Sequence, residues 1–133
     1  MRGAVWMLAL TVWCAQADAG PQTAPALRRT GIFSNLTYHR ESGDLTGMEV
    51  MIVPSRDDGA TAFKAVVQIA EGGEPCVAVV PVRYLGTALE FLLPGDSPCG
   101  EGRFAGRLTQ AGLELQDASR GRVLLRRKRS YWQ

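Results

Sequence analysis

The stretch AFKAVVQIAEGGEPCVAVVPVRYLGTALEFLL, residues 62–93, decides the fold. Its first nine residues, 62–70, place Phe63, Ala65, Val67 and Ile69 on one face and Lys64 and Gln68 on the other. That is period two, the mark of a half-buried strand, and not the 3.6 of a helix. Gly72-Gly73 then punctuates the chain, and CVAVVPVRYL (76–85) reads as the next strand. Pro81 lies inside it with no backbone donor, which predicts a bulge or a break there. After Gly86, ALEFLL (88–93) keeps Leu89, Phe91 and Leu93 in phase.

The same reading extends in both directions. Upstream lie IFSNLTYHR (32–40) and GMEVMIV (47–53). Downstream lie RFAGRLT (103–109), LELQD (113–117) and RVLLRRK (122–128). Phe104 and Leu108 share one face of their strand, with Arg103 and Arg107 on the other. Gly43-Asp44, Asp58-Gly59, Ala111-Gly112 and Ser119 to Gly121 supply turn chemistry, and only LPGDSPCGEG (93–102) is a long connection. With no helical period after residue 30, the expected fold is all-β: an antiparallel meander of about eight strands. A closed barrel is favoured over a sandwich, because closure removes the exposed edges that invite aggregation.

Residues 1–19 read as a cleavable export signal. Arg2 precedes an apolar run from Ala4 to Cys14 broken only by Thr11, and small residues follow at 15, 17 and 19, where a signal peptidase reads. The run is well short of the ~20 residues a spanning helix needs. Trp13 stands before Cys14, where a lipidation site takes a small residue. Residues 20–30, GPQTAPALRRT, carry two prolines and no periodicity, and are expected to form a flexible leader to a single β domain at 31–133. The expected location is therefore periplasmic or secreted.

Loss of Cys14 with the signal leaves Cys76 and Cys99, and an even count in an exported chain predicts a disulfide. Such a bridge stabilises a small domain by roughly 3 kcal/mol on the chain-entropy model. In a meander the connections alternate between two ends. Cys76 follows one turn and Cys99 lies in another at the same end, here called the far end, so the bridge is geometrically allowed. Two distant cysteines and a single histidine, His39, make no zinc set, and no metal or cofactor is expected.

Catalytic groups are sparse. Ser34, Ser42 and Ser55 stand at no recognised spacing from His39. Glu41, Asp44, Glu49 and Glu90 include the carboxylates a glycosidase pair requires, but acidic residues on solvent faces look the same. SRDDG (55–59) lacks the further oxygen ligands of a calcium loop and reads as a hairpin turn. No Gly-rich phosphate loop is present. Asn35-Leu36-Thr37 is a formal glycosylation sequon. The chain is not expected to be an enzyme.

One feature departs from even mixing. RGRVLLRRKR (120–129) holds six Arg or Lys in ten residues, although the net charge is only +2, too small to imply nucleic acid. The last strand should finish at the near end, where the first begins. Arg126, Arg127, Lys128 and Arg129 then gather beside Arg28 and Arg29, with Asp57 and Asp58 at the same end. Pairing of the last strand with the first would make this the seam of the barrel. Tyr131 and Trp132 are expected to fold back as an aromatic latch on the near mouth. Inside, Phe63, Phe91, Phe104 and Tyr84 are expected to fill the space that a small ligand would need.

Over residues 31–129 the layout resembles the calycin architecture of avidins and lipocalins, exported Gly-punctuated antiparallel meanders. In size and disulfide count it is also similar to small barrel inhibitors that bacteria secrete against lysozymes or proteases. The lipocalin Gly-x-Trp opening is absent; Gly31-Ile32-Phe33 is the nearest approach, and no functional residue is carried over. The resulting expectation is an exported, non-enzymatic binding or inhibitory module. It would contact an extracytoplasmic protein or an anionic envelope polymer through Arg28, Arg29 and Arg126–Arg129. The alternatives are a structural component of the cell envelope and a small-ligand carrier.

Overall fold

Alternating side chains and glycine turns build nine strands in the computed structural model, which describes residues 26–56, 59 and 62–131. They are β1 (Gly31–Ser34), β2 (Thr37–His39), β3 (Asp44–Pro54), β4 (Phe63–Glu71), β5 (Cys76–Leu85), β6 (Ala88–Leu93), β7 (Gly102–Leu108), β8 (Gly112–Asp117) and β9 (Gly121–Lys128). All neighbours are antiparallel, and β1 pairs with both β3 and β9. The sheet therefore closes into an eight-stranded barrel of β1 and β3–β9, with β2 as an added strand on β3. The closing seam pairs Ile32 with Lys128, Phe33 with Arg127 and Ser34 with Arg126.

The first strand read from sequence is divided in two by Asn35 and Leu36. Register is kept across the break: Ser34 pairs with Glu49 and Thr37 with Thr46. What changes is the acceptor. Asn35 N–H donates to the Met48 carbonyl, but Met48 N–H donates to the Asn35 side-chain Oδ1, at 2.7 Å. The amide side chain takes the place of the main-chain carbonyl, and the strand kinks. Gly47 permits the approach, with φ of 109° and a Cβ position that would fall 2.7 Å from the Asn35 carbonyl oxygen.

Inward positions form the core. Phe33, Val50, Ile52, Val67, Val82, Phe104, Leu113 and Leu125 are each fully or almost fully buried. Phe91 stacks on Phe104 at 4.9 Å between centroids, and Phe63 meets Tyr84 edge-on at 5.1 Å. All four rings face the barrel interior, as their phase along the strands predicts, Phe63 and Tyr84 at its near end. A smaller cluster of Leu36, Leu45 and Ala70 lies on the outside of β3 and β4.

Cys76 and Cys99 sit at disulfide distance at the far end, with Cα atoms 5.2 Å apart. The bridge lies beside a short stretch of pairing in the wall. β5 pairs with β6 only through Arg83–Glu90, Tyr84–Leu89 and Leu85–Ala88. Antiparallel partners exchange two hydrogen bonds at every second pair. The two-residue turn at Gly86-Thr87 makes Leu85–Ala88 such a pair and Arg83–Glu90 the next. The third would be Pro81–Leu92, where Pro81 has no N–H to give, and there the ladder stops. The covalent clip joins the start of β5 to the β6–β7 connection beyond that point.

Candidate functional site

The basic residues at the near end fall into two groups that the alternation of β9 separates. Leu125 and Arg127 point inward, and Arg126 and Lys128 point outward. Arg127 closes the near mouth of the barrel. Its guanidinium lies over the Phe33 ring, 4.6 Å from the centroid, and donates to the Thr30 and Arg28 carbonyls at 2.7 and 2.6 Å. Arg29 lies over the Tyr84 ring at 5.3 Å, and Tyr84 O–H donates to the Arg29 carbonyl at 2.6 Å. Burial of Tyr84 pushes its phenol up to about 12, against the opposing pull of Arg29 and Arg127. Leu27 packs on the core beneath. The C-terminal part of the segment read as a leader, residues 27–30, thus runs along the barrel and covers its opening.

Tyr131 is found elsewhere. Residues 129–131 turn back across the outside of β1 toward β3. Ser130 O–H donates to Glu49 Oε1 and Tyr131 N–H to Glu49 Oε2, each at 2.9 Å. Glu49 points outward from β3 yet is fully buried, because the tail lies over it. The Tyr131 ring lines a cleft with Tyr38, Leu45 and Pro75, toward the far end. The near mouth is taken by Arg127 and residues 27–30, so the tail lies on the barrel wall. Trp132 lies outside the described residues.

Arg28, Arg126, Lys128 and Arg129 remain as solvent-facing cations. Among the described residues none of them forms an ion pair; the pairs that form are Arg83 and Arg103 with Glu90, and Arg120 with Glu71 and Asp117. The acidic groups gather at the opposite end. Glu41, Asp44, Glu71, Glu74, Asp96, Glu101 and Asp117 all lie in or next to far-end connections, against Arg40 and Arg120. Asp57 and Asp58, expected at the near end, lie outside the described residues. Among the described residues, charge is thus distributed unevenly along the axis, positive where β9 ends. Of the other arginines, Arg103 pairs with Glu90 and Arg120 is held at the far end; Arg107 and Arg122 flank a shallow groove over β7 and β8.

At the far end Arg120 spans the barrel mouth, donating Nη2 to Glu71 at 2.7 Å and Nη1 to Asp117 at 3.3 Å. The Ser119 hydroxyl bonds Asp117 at 2.5 Å and, ahead of Arg120, holds its carboxyl below the usual range against the opposing effect of burial. His39 is exposed on β2, and its Nε2 meets Thr46 Oγ1 at 2.9 Å. Ser34 Oγ accepts the Leu36 N–H. Among the described residues no group of three or more His, Cys, Asp or Glu is placed to hold a metal. Asn35 of the formal sequon has its side-chain oxygen engaged with Met48 inside the sheet.

Glu49 was not identified as a site from sequence. Alternation puts Glu49 on an outer face, which reads as solvated; only the returning tail buries it. The chain matches no protein-family model, no curated protein and no solved structure.

Proposed function

We propose that this chain is an exported, non-enzymatic binding module whose near end docks on an anionic partner, either an acidic protein surface or an envelope polymer. The observation that carries the reading is the set Arg28, Arg126, Lys128 and Arg129, exposed and without ion partners among the described residues. Among the described residues the connections at the other end carry most of the carboxylates, which favours approach of an anion by this end. The Cys76–Cys99 pair fits an oxidising compartment, and residues 1–19 carry the pattern of a removable signal.

The test separates binding from folding. Arg127 and Arg29 brace the mouth, so they stay. Arg126→Ser, Lys128→Ser and Arg129→Ser together should elute from an immobilised dextran sulfate column at distinctly lower salt than the parent, with an unchanged melting temperature. Equal elution would remove the assignment. A second reading, a structural component that assembles with other proteins, is supported by one observation: Val77, Val79, Leu85 and Leu92 are exposed apolar side chains on the outside of β5 and β6. The interior filled by Phe91 and Phe104 counts against a small-ligand carrier.

A further inference from the structure

The outer face of β7, β8 and β9 carries polar side chains that take no part in holding the fold. Arg107 stands opposite Glu114, and Gln116 opposite Arg122, in adjacent rows of the sheet. All of them point outward, since alternation turns Leu108, Leu113, Leu115 and Val123 to the core. Among the described residues these side chains form no ion pair or side-chain hydrogen bond, although Arg107 and Glu114 are direct cross-strand partners. Ala105 lies on the same face, opposite Gln116, and is too small to fill the space. A groove of about 430 Å³ is left, lined by Arg107, Glu114, Gln116 and Arg122.

The cationic surface continues past the groove. Along β9, Arg122, Leu124, Arg126 and Lys128 follow one another on the outward side. From Arg122 to Lys128 that is ~20 Å at the strand rise of ~3.3 Å per residue. Leu124 is only partly buried and puts an apolar surface between the charges. The groove and the basic near end are thus joined by a single straight element.

The composition of the groove selects its ligand. Two guanidinium groups suit a carboxylate. A bare anion has no use for Gln116 and is opposed by Glu114. Both are partners for hydroxyl groups, Glu114 as an acceptor and Gln116 as donor and acceptor. We infer that the groove takes one uronic acid unit of a linear acidic polysaccharide, whose further units run over Leu124 to Arg126 and Lys128. The carboxylate of the first unit lies on Arg107 and Arg122, and its hydroxyls on Glu114 and Gln116. An acidic protein segment offers carboxylates without hydroxyls and would leave Glu114 facing like charge. The inference rests on the near-end docking proposed above and narrows its partner to a sugar polymer.

The test titrates the oxidised full chain with digalacturonate and hexagalacturonate, read by amide NMR shifts. The disaccharide should shift amides of β7, β8 and Arg122. The hexasaccharide should also shift those of Arg126 and Lys128 and bind at least about tenfold more tightly. Arg107→Ser with Arg122→Ser should abolish the disaccharide shifts. Gln116→Ala, which leaves every charge in place, should weaken both sugars several-fold without altering elution from dextran sulfate. Arg126→Ser, Lys128→Ser and Arg129→Ser together should remove the gain from length and leave disaccharide binding intact. All these side chains point outward, so the melting temperature should stay constant. The inference is overturned if the disaccharide shifts no amide of the groove, or if Gln116→Ala has no effect. It is also overturned if a hexaglutamate peptide binds as tightly as the hexasaccharide, which would make the occupant an acidic protein segment. Failure of the near-end docking reads differently: the triple variant would then keep the full gain from length, removing the track while sparing the groove.

Discussion

The main-chain N–H of Tyr131 donates to the Oε2 of Glu49 at 2.9 Å, joining residues 82 apart in the chain. With the Ser130 hydroxyl on Oε1, both carboxyl oxygens of a fully buried side chain are satisfied by the tail. Buried polar groups of this kind are costly when left unmatched. Ser130→Ala should therefore lower stability by about 1–2 kcal/mol in urea unfolding. Glu49→Leu, which removes the need for both donors, should cost less than the tail truncation at Arg129. Equal loss from all three changes would show that the tail does not act through Glu49.

Tyr84 gives the protein an alkaline limit. Its folded-state value is raised, to about 12 from 10.0, so the native state holds the phenolic proton more tightly than the unfolded chain does. The corresponding stability is complete below pH 10 and is lost as pH rises toward 12. Thermal melts between pH 9 and 12 should show that fall, and Tyr84→Phe should abolish most of it while removing the bond to the Arg29 carbonyl.

Asp117 acts in the opposite direction. Its carboxyl is held below 3.8, first by the Ser119 hydroxyl, and Arg120 adds to the effect. The native state thus binds this proton less readily than the unfolded chain. The stability it contributes is complete above the unfolded value and is lost as pH falls through the folded one. Acid titration of the melting temperature should show a decline below about pH 4, and Asp117→Asn should flatten it. An unchanged acid limb in Ser119→Ala would remove Ser119 as the main cause.

Reducing the Cys76–Cys99 bridge should cost roughly 3 kcal/mol, but unevenly. Hydrogen exchange should accelerate first at the amides of β5 around Val77 to Val80 and in residues 93–102. Those segments lie beyond the last β5–β6 ladder pair, Arg83–Glu90. Uniform acceleration over all strands would mean that the bridge does not guard that place.

Gly47→Ala should destabilise by about 2 kcal/mol or more, since φ is 109° and the new methyl would meet the Asn35 main chain. Asn35→Ala should cost about 1–2 kcal/mol by orphaning the Met48 N–H. The double variant should lose less than the sum, because both changes act on the same contact.

These particulars mark what the sequence makes legible. Phe63, Ala65, Val67 and Ile69 alternate with polar residues, and period two alone places them inside and makes β4 a strand. The cysteine pair follows from the even count left after the signal, and the shared end of their two connections allows it. The kink at Asn35 does not follow, because its side chain imitates a main-chain carbonyl and leaves the register intact. The fate of Tyr131 does not follow either: the mouth it was expected to fill is claimed by Arg127 and residues 27–30, through bonds between groups almost a hundred residues apart. Of the six basic residues singled out, Arg127 and Arg29 look like their neighbours in sequence. Only the tertiary contacts show that these two brace the barrel and the others face solvent.

The separation of charge along the barrel has a consequence for orientation. The described residues put cations at one pole and most carboxylates at the other, a distribution that experiences a torque near any uniformly negative sheet before contact is made. The barrel would arrive upright, standing on the pole where β9 finishes. The sulfur bridge would then face outward.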